Sequence, residues 1–238
     1  MSKPTARQPA ATGTAAPGND QVFPAAAEAP WDRLAEARIA VYSFLLAALA
    51  KPSPEQHAWF AGPGFRRDLD NLCEQFTVPP PAGELAAADA AGHEARYLAC
   101  FEVGLPEPPV PLLASHYNRR EPVPQVIHEH ILFYRRFGAR LAAGNIEPAD
   151  HLLTELAFLV RLDELLRAGT LEAESVWRAR RDFLSRQAAA WPAKAAAAAA
   201  ARDLPVVYRT LLALLEVAVR QDLKLTAAAV AGLGGEKP

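Results

Sequence analysis

EPADHLLTELAFLVRL, residues 147–162, carries two messages. Leu152, Leu156 and Leu159 recur at steps of four and three, the spacing that puts side chains on one buried face of an α-helix. The opening EPADH sets a proline, a carboxylate and an imidazole where that helix should begin. Pro148 in the first helical turn needs no hydrogen-bond donor, and Asp150 there favours the positive end of the helix dipole by roughly 0.3–1 kcal/mol. His151 has no such account, since a cation is disfavoured at a helix N-terminus. The segment therefore reads either as a helix cap or as a site.

The same period extends in both directions. Leu34, Val41, Leu45 and Leu49 mark a helix from Trp31 to Lys51, after which PSPE (52–55) offers Ser53 as cap and Pro54 as first residue of the next. Phe65, Leu69, Leu72 and Phe76 make a third helix, stopped by VPPP at 78–81. Further helices are predicted at about 83–103, 123–143, 148–168, 172–190 and 195–224, and no strand competes with them. The fold class is all-α: a single compact helical domain of about eight helices, interrupted by one long proline-rich loop, GLPEPPVPLLASHYNRREPVP (104–124). A loop of that length inside a compact domain tends to be functional, and its six prolines keep it stiff. Residues 1–29, rich in Ala, Pro, Thr and Gly, read as a flexible N-terminal tail, residues 30–225 as the helical domain and residues 226–238 as a flexible C-terminal tail.

Composition narrows the function. Twenty-five basic against 27 acidic residues leave a formal charge of −2, too weak a field to recruit nucleic acid or an anionic membrane. No stretch has the ~20 apolar residues of a membrane span, and the N-terminus lacks the apolar core of a secretory signal. Cys73 and Cys100 stand alone in apolar helical patterns, as buried reduced thiols do. A cytoplasmic protein is expected, with no membrane insertion and no nucleic-acid partner.

Motifs for chemistry are incomplete. HEARY (93–97) has Tyr97 where a zinc-protease helix needs its second histidine, so Tyr97 and Phe101 read as packing partners four residues apart. HEH (128–130) separates its histidines by roughly 200° around a helix, one inward and one exposed. There is no phosphate-binding GxxxxGK[ST], no GxSxG elbow around Ser115 and His116, and no metal or cofactor constellation. The arginine pairs at 66–67, 119–120, 135–136 and 180–181 read as solvated helix faces.

Taken in order, EARYLACF (94–101), a run of prolines, SHY (115–117), FYRRFG (133–138), EPADHLLTELAFL (147–159) and FLxxQxxxW (183–191) resemble the TorD/DmsD/NarJ family of all-helical chaperones. Those proteins serve the maturation of molybdenum enzymes of the dimethyl sulfoxide reductase class. The likeness covers about residues 33–224. It looks closest to members serving periplasmic enzymes that act on ethylbenzene, dimethyl sulfide, selenate or chlorate. The resemblance implies a non-catalytic protein without cofactor, monomeric or dimeric. Its partners would be the apo catalytic subunit of a molybdenum oxidoreductase and that subunit's twin-arginine signal peptide. Matched residue by residue, it implies client or signal-peptide binding by Tyr97, Phe101, Pro108, Ser115 and Tyr117, with Pro148, Asp150, His151 and Glu155. Tyr97 and Phe101 would form the floor of a groove, and Asp150 and His151 its polar rim. Leu105, Leu159 and Gln187 depart from the Trp, Met and His common in relatives. The alternative from the residues alone is an all-α enzyme or metal protein gathering His116, His128, His130 and His151 from several helices.

Overall fold

The computed structural model describes residues 31–118, 121–139 and 148–233. The expected N-terminal tail and the pair Arg119–Arg120 lie outside the described residues. The chain forms α1 (Trp31–Ala48), α2 (Pro54–Ala61), α3 (Pro63–Phe76), α4 (Ala90–Phe101), α5 (Ala114–Tyr117), α6 (Val123–Arg136) and α7 (Leu152–Ala168). It continues with α8 (Ala173–Phe183), a π-helical turn (Leu184–Ala188), α9 (Pro192–Ala201) and α10 (Val206–Leu233). Among the described residues the only β pairing is one antiparallel bridge between Leu113 and His151, so the all-α expectation is borne out. No described helix is long and apolar enough to cross a membrane.

Local chemistry explains most boundaries. Ser53 accepts from the Gln56 N–H at 3.2 Å with Pro54 opening α2, while the Gln56 amide donates to Ala47 O and Ala50 O and so closes α1. α3 buries Phe65, Leu69, Cys73 and Phe76, one face of a 3.6-residue period. α4 starts at Ala90, later than the period suggests, because Asp89 caps it by accepting from Gly92 N at 2.7 Å.

Two predicted helices need correction. The helix expected from 148 begins at Leu152, with His151 as its cap. The single helix expected over 195–224 is two, because Pro205 has no N–H to donate and restricts the residue before it, so the chain turns between Arg202 and Pro205. The second of these, α10, runs to Leu233, beyond the boundary at 225. Thr226, Ala229 and Val230 are buried, the last two against Leu34 and Trp177, and that burial holds the extra turns helical. The proline-rich loop also contains a short helix of its own, α5.

A large core joins most of the helices, with α1 lying along α7 and α10 against α8 and α9, beside the smaller cluster of Leu34, Trp177, Ala229 and Val230. Inside it sits a quartet of charges: Arg38 (α1), Asp163 (α7), Arg180 (α8) and Asp222 (α10), each 0% exposed. Arg38 donates to Asp163 Oδ1 through Nε at 2.9 Å and NH2 at 2.5 Å. Arg180 reaches Asp163 Oδ2 at 2.9 Å and Asp222 Oδ2 at 2.5 Å. Tyr42 and Thr226 donate their hydroxyls to Asp222 at 2.7 and 3.0 Å. Burial would raise the Asp222 carboxyl, but the two guanidinium groups and the Tyr42 hydroxyl outweigh it and hold it below the usual carboxylate range. Arg180 is thus not on a solvated face, as its pair with Arg181 suggested. Cys73 and Cys100 are buried free thiols, pushed up to about 11 by burial.

Candidate functional site

The proline-rich segment is clipped to the start of α7. Leu152 N donates to Leu112 O at 2.9 Å and Ala114 N to Asp150 O at 3.0 Å, which makes the Leu113–His151 bridge. These bonds satisfy backbone groups that a helix end and an irregular loop would otherwise leave unpaired. His151 completes the start of α7: its Nδ1 accepts from Leu153 N at 3.3 Å.

Asp150 is a cap, but of another helix. Its Oδ2 accepts from Ser115 N at 3.0 Å, in the first turn of α5. At 1% exposure the carboxylate is buried between the two helix starts, not displayed on an open terminus. Pro148, three residues before the cap, is the exposed one among the motif's described residues, and its carbonyl accepts from the Thr154 hydroxyl at 3.2 Å.

One turn into α7, Glu155 points inward at 1% exposure. Its Oε1 lies 2.8 Å from His130 Nε2, and its Oε2 accepts from Trp191 Nε1 at 3.0 Å. His130 Nδ1 lies 2.8 Å from Val126 O and must donate, because a carbonyl only accepts. Nε2 and Oε1 therefore share one further proton. Burial pushes the His130 imidazole down, but the hydrogen bond and charge of Glu155 and the Val126 carbonyl outweigh it, so it protonates more readily than a free histidine. Burial raises the Glu155 carboxyl more than His130 and Trp191 lower it, so both partners favour keeping that proton.

The cluster reaches the surface through aromatic and polar groups. Tyr117 stacks on Trp191 with ring centroids 5.5 Å apart and an 11° interplanar angle. Lys194 Nζ donates to Tyr117 O at 2.9 Å, and His116 Nδ1 lies 3.4 Å from the Glu107 carboxylate. Tyr134 donates to Ala149 O at 2.6 Å, binding α6 to the motif. The π-helical turn swings Gln187 inward, where its amide donates to Glu129 Oε2 at 2.8 Å.

Of the residues expected to bind, Ser115, Tyr117, Pro148, Asp150, His151 and Glu155 come together, with Pro108 half-buried on the loop just before α5. Tyr97 and Phe101 do not line a floor. At 2% and 4% exposure they pack on each other and on Tyr208 inside the core, and Tyr97 donates to Leu49 O at 3.2 Å. His130 and Trp191 were not expected in the cluster. A signal existed for His130, because Val126, His130 and Tyr134 lie at steps of four and share the buried face of α6. His128 is exposed, so HEH does split into one inward and one outward ring. Among the described residues no three His, Cys, Asp or Glu side chains gather as a metal site would require.

The architecture defines a class: an all-α domain whose buried polar groups lock a proline-rich segment onto a helix start and leave a half-buried polar rim above it. The chain belongs to the nitrate reductase delta subunit family, whose model matches residues 61–197, a span that contains every candidate residue. The resemblance read from the motifs is borne out at that level. The chain is 39% identical over 102 residues to a selenate reductase assembly chaperone of Thauera selenatis, a match covering 41% of this chain and 52% of that protein. It is 30% identical over 166 residues to a perchlorate reductase assembly chaperone of Dechloromonas aromatica, covering 65% of this chain and 74% of the relative. With a dimethyl sulfide dehydrogenase assembly chaperone of Rhodovulum sulfidophilum it shares 34% identity over 167 residues, 65% of this chain and 67% of the relative. The chain thus spans about half the length of the Thauera protein and two thirds or more of the other two.

Proposed function

We propose that this chain is a cytoplasmic chaperone, not an enzyme. It binds the immature catalytic subunit of a molybdenum oxidoreductase, together with its twin-arginine signal peptide, and assists insertion of the molybdopterin cofactor before export. The observation that carries this reading is family membership over residues 61–197, joined to three relatives each named as the assembly chaperone of an oxidoreductase. The site is consistent with holding a partner. Glu155 and His130 satisfy each other away from solvent, while Ser115, His116, His151 and Lys194 present hydrogen-bonding groups at the surface. A basic pair followed by an apolar core calls for such a polar rim beside apolar surface.

The experiment separates folding from binding. In Asp150→Asn the remaining carbonyl oxygen still accepts from Ser115 N, so stability should fall by only ~1–2 kcal/mol as a charge-assisted bond becomes a neutral one. His151→Ala should cost ~1 kcal/mol, the usual loss of a cap. Each variant is co-produced with an apo catalytic subunit, and capture is scored against wild type. Retained fold with lost capture is expected of His151→Ala, whereas Asp150→Asn, at a residue 1% exposed, should fold and capture as wild type does. A His151→Ala variant that captures the subunit as wild type does would remove His151 from the client site.

A further inference from the structure

A basic signal peptide needs a carboxylate to receive it, and the rim around Ser115 has none to spare. Asp150 is 1% exposed and bound to Ser115 N, Glu155 is 1% exposed and shares a proton with His130, and Glu107 faces His116. Lys194, held on Tyr117 O, adds a positive charge there. An arginine pair is repelled by that end of the cluster.

One acidic side chain at the edge of the same cluster is differently placed. Glu129, in the middle of α6, is half-buried. Its Oε2 accepts from the Gln187 amide at 2.8 Å, and among the described residues it pairs with no lysine, arginine or histidine. Gln187, 4% exposed, is set in the π-helical turn, a distortion that recurs at functional sites. Four residues further on, Trp191 stacks on Tyr117 and donates to Glu155, which connects this edge to the rim. The neutral amide orients the carboxylate without neutralising it. A carboxylate accepts up to about four hydrogen bonds, and an arginine fork is its strongest partner.

Apolar surface comes next along the helix. Leu132 and Phe133, three and four residues beyond Glu129, are its neighbours on the helix surface. Leu132 is 52% exposed, and Phe133 is half-buried against Phe183 with ring centroids 5.3 Å apart. Arg135 and Arg136 are exposed in the last turn, so a basic pair placed at that end would meet like charge. The face therefore runs acidic, apolar, basic, and a basic pair followed by an apolar core fits it in one direction only.

We infer that Glu129, held by Gln187, receives the arginine pair of the client's signal peptide, whose apolar core lies over Leu132 and Phe133. The inference rests on the chaperone role proposed above and puts the peptide on α6, beside the proline-rich segment.

The test uses the full-length protein and two synthetic peptides, one with an Arg-Arg pair ahead of an apolar core and one with Gln-Gln in its place, each titrated by calorimetry. Glu129→Gln keeps an oxygen to accept from Gln187 and removes only the charge. It should bind the Arg-Arg peptide tenfold or more weaker than wild type and the Gln-Gln peptide within twofold, with an unchanged melting temperature; such selective loss marks direct contact. Leu132→Ser, at an exposed position, should weaken both peptides by the same factor, and Glu74→Gln, exposed on α3, should alter neither. A smaller loss for Glu129→Gln, or an equal loss for the two peptides, would overturn the assignment. Should Glu129→Gln fail to fold, Leu132→Ser decides alone, and unchanged binding of both peptides overturns it. Wild type that captures the apo catalytic subunit of selenate or perchlorate reductase but neither peptide would also overturn it while sparing the chaperone role; wild type that captures neither subunit nor peptide would remove both.

Discussion

Replacing Asp222 with alanine should bring the domain close to unfolding. The carboxylate accepts from Arg180 Nε and NH2 at 3.4 and 2.5 Å, from Tyr42 at 2.7 Å and from Thr226 at 3.0 Å, and lies 3.8 Å from Arg38. Its loss turns a balanced set of two cations and two anions, all 0% exposed, into two cations facing Asp163 alone. An uncompensated buried charge costs about 3–5 kcal/mol, and an orphaned buried hydroxyl about 1–3 kcal/mol. These overlap, because the guanidinium and the hydroxyls rearrange into the same vacated space. The expected loss is therefore about 4–6 kcal/mol, against a typical domain stability of about 5–15 kcal/mol. The pair variant Arg180→Met with Asp222→Leu removes one charge of each sign and leaves Arg38 with Asp163; it still orphans the Tyr42 and Thr226 hydroxyls but no buried charge, so it should be more stable than the single variant. Urea unfolding followed by circular dichroism reads both, with an unchanged denaturant slope confirming that stability alone has moved. If the alanine variant loses less than 1 kcal/mol, or the pair variant is no more stable than the single, the quartet does not act as a coupled unit.

The His130–Glu155 pair predicts a pH dependence. The histidine's folded pKa is raised, so its contribution is fully present below the unfolded value near 6.5 and is lost as pH rises, at about 1.4 kcal/mol per unit, until the folded pair releases its proton. Denaturant midpoints of wild type and His130→Gln from pH 6 to 9 should converge with rising pH, and a constant gap would contradict the shared proton. Trp191→Phe keeps a ring to stack on Tyr117 but removes the indole donor to Glu155. A hydrogen bond to a charged group is worth about 1.5–3 kcal/mol, or a melting temperature lower by roughly 4–10 °C for a domain of this size. A shift below one degree would mean that this hydrogen bond adds nothing.

The helices were legible because helix formation is read from neighbours three and four residues away. Phe65, Leu69 and Phe76 announce α3, and Ser53 with Pro54 announces α2, without knowledge of anything else in the chain. Prolines likewise mark where helices stop. The family was legible because the order of several short motifs survives in the sequence. Even the buried charges left a trace: Arg38 lies four residues from Leu34 and three from Val41, and Arg180 three from Trp177 and three from Phe183, so both occupy the apolar stripe of their helices.

What the sequence could not supply is the partner of each such group. Arg38 and Asp163 are 125 residues apart, and Tyr42 and Asp222 are 180 apart, and no local period connects them. The same holds at the candidate site. EPADH looked like either a cap or a site, and only the approach of the proline-rich segment made Asp150 the cap of α5 and buried it. Tyr97 and Phe101 fit a binding motif by spacing, but spacing cannot say which helix covers a face, and α10 covers theirs with Tyr208. Secondary structure is decided within a few residues by backbone geometry and side-chain period; burial and charge pairing are decided by which helices meet, and that is a property of the packed chain alone.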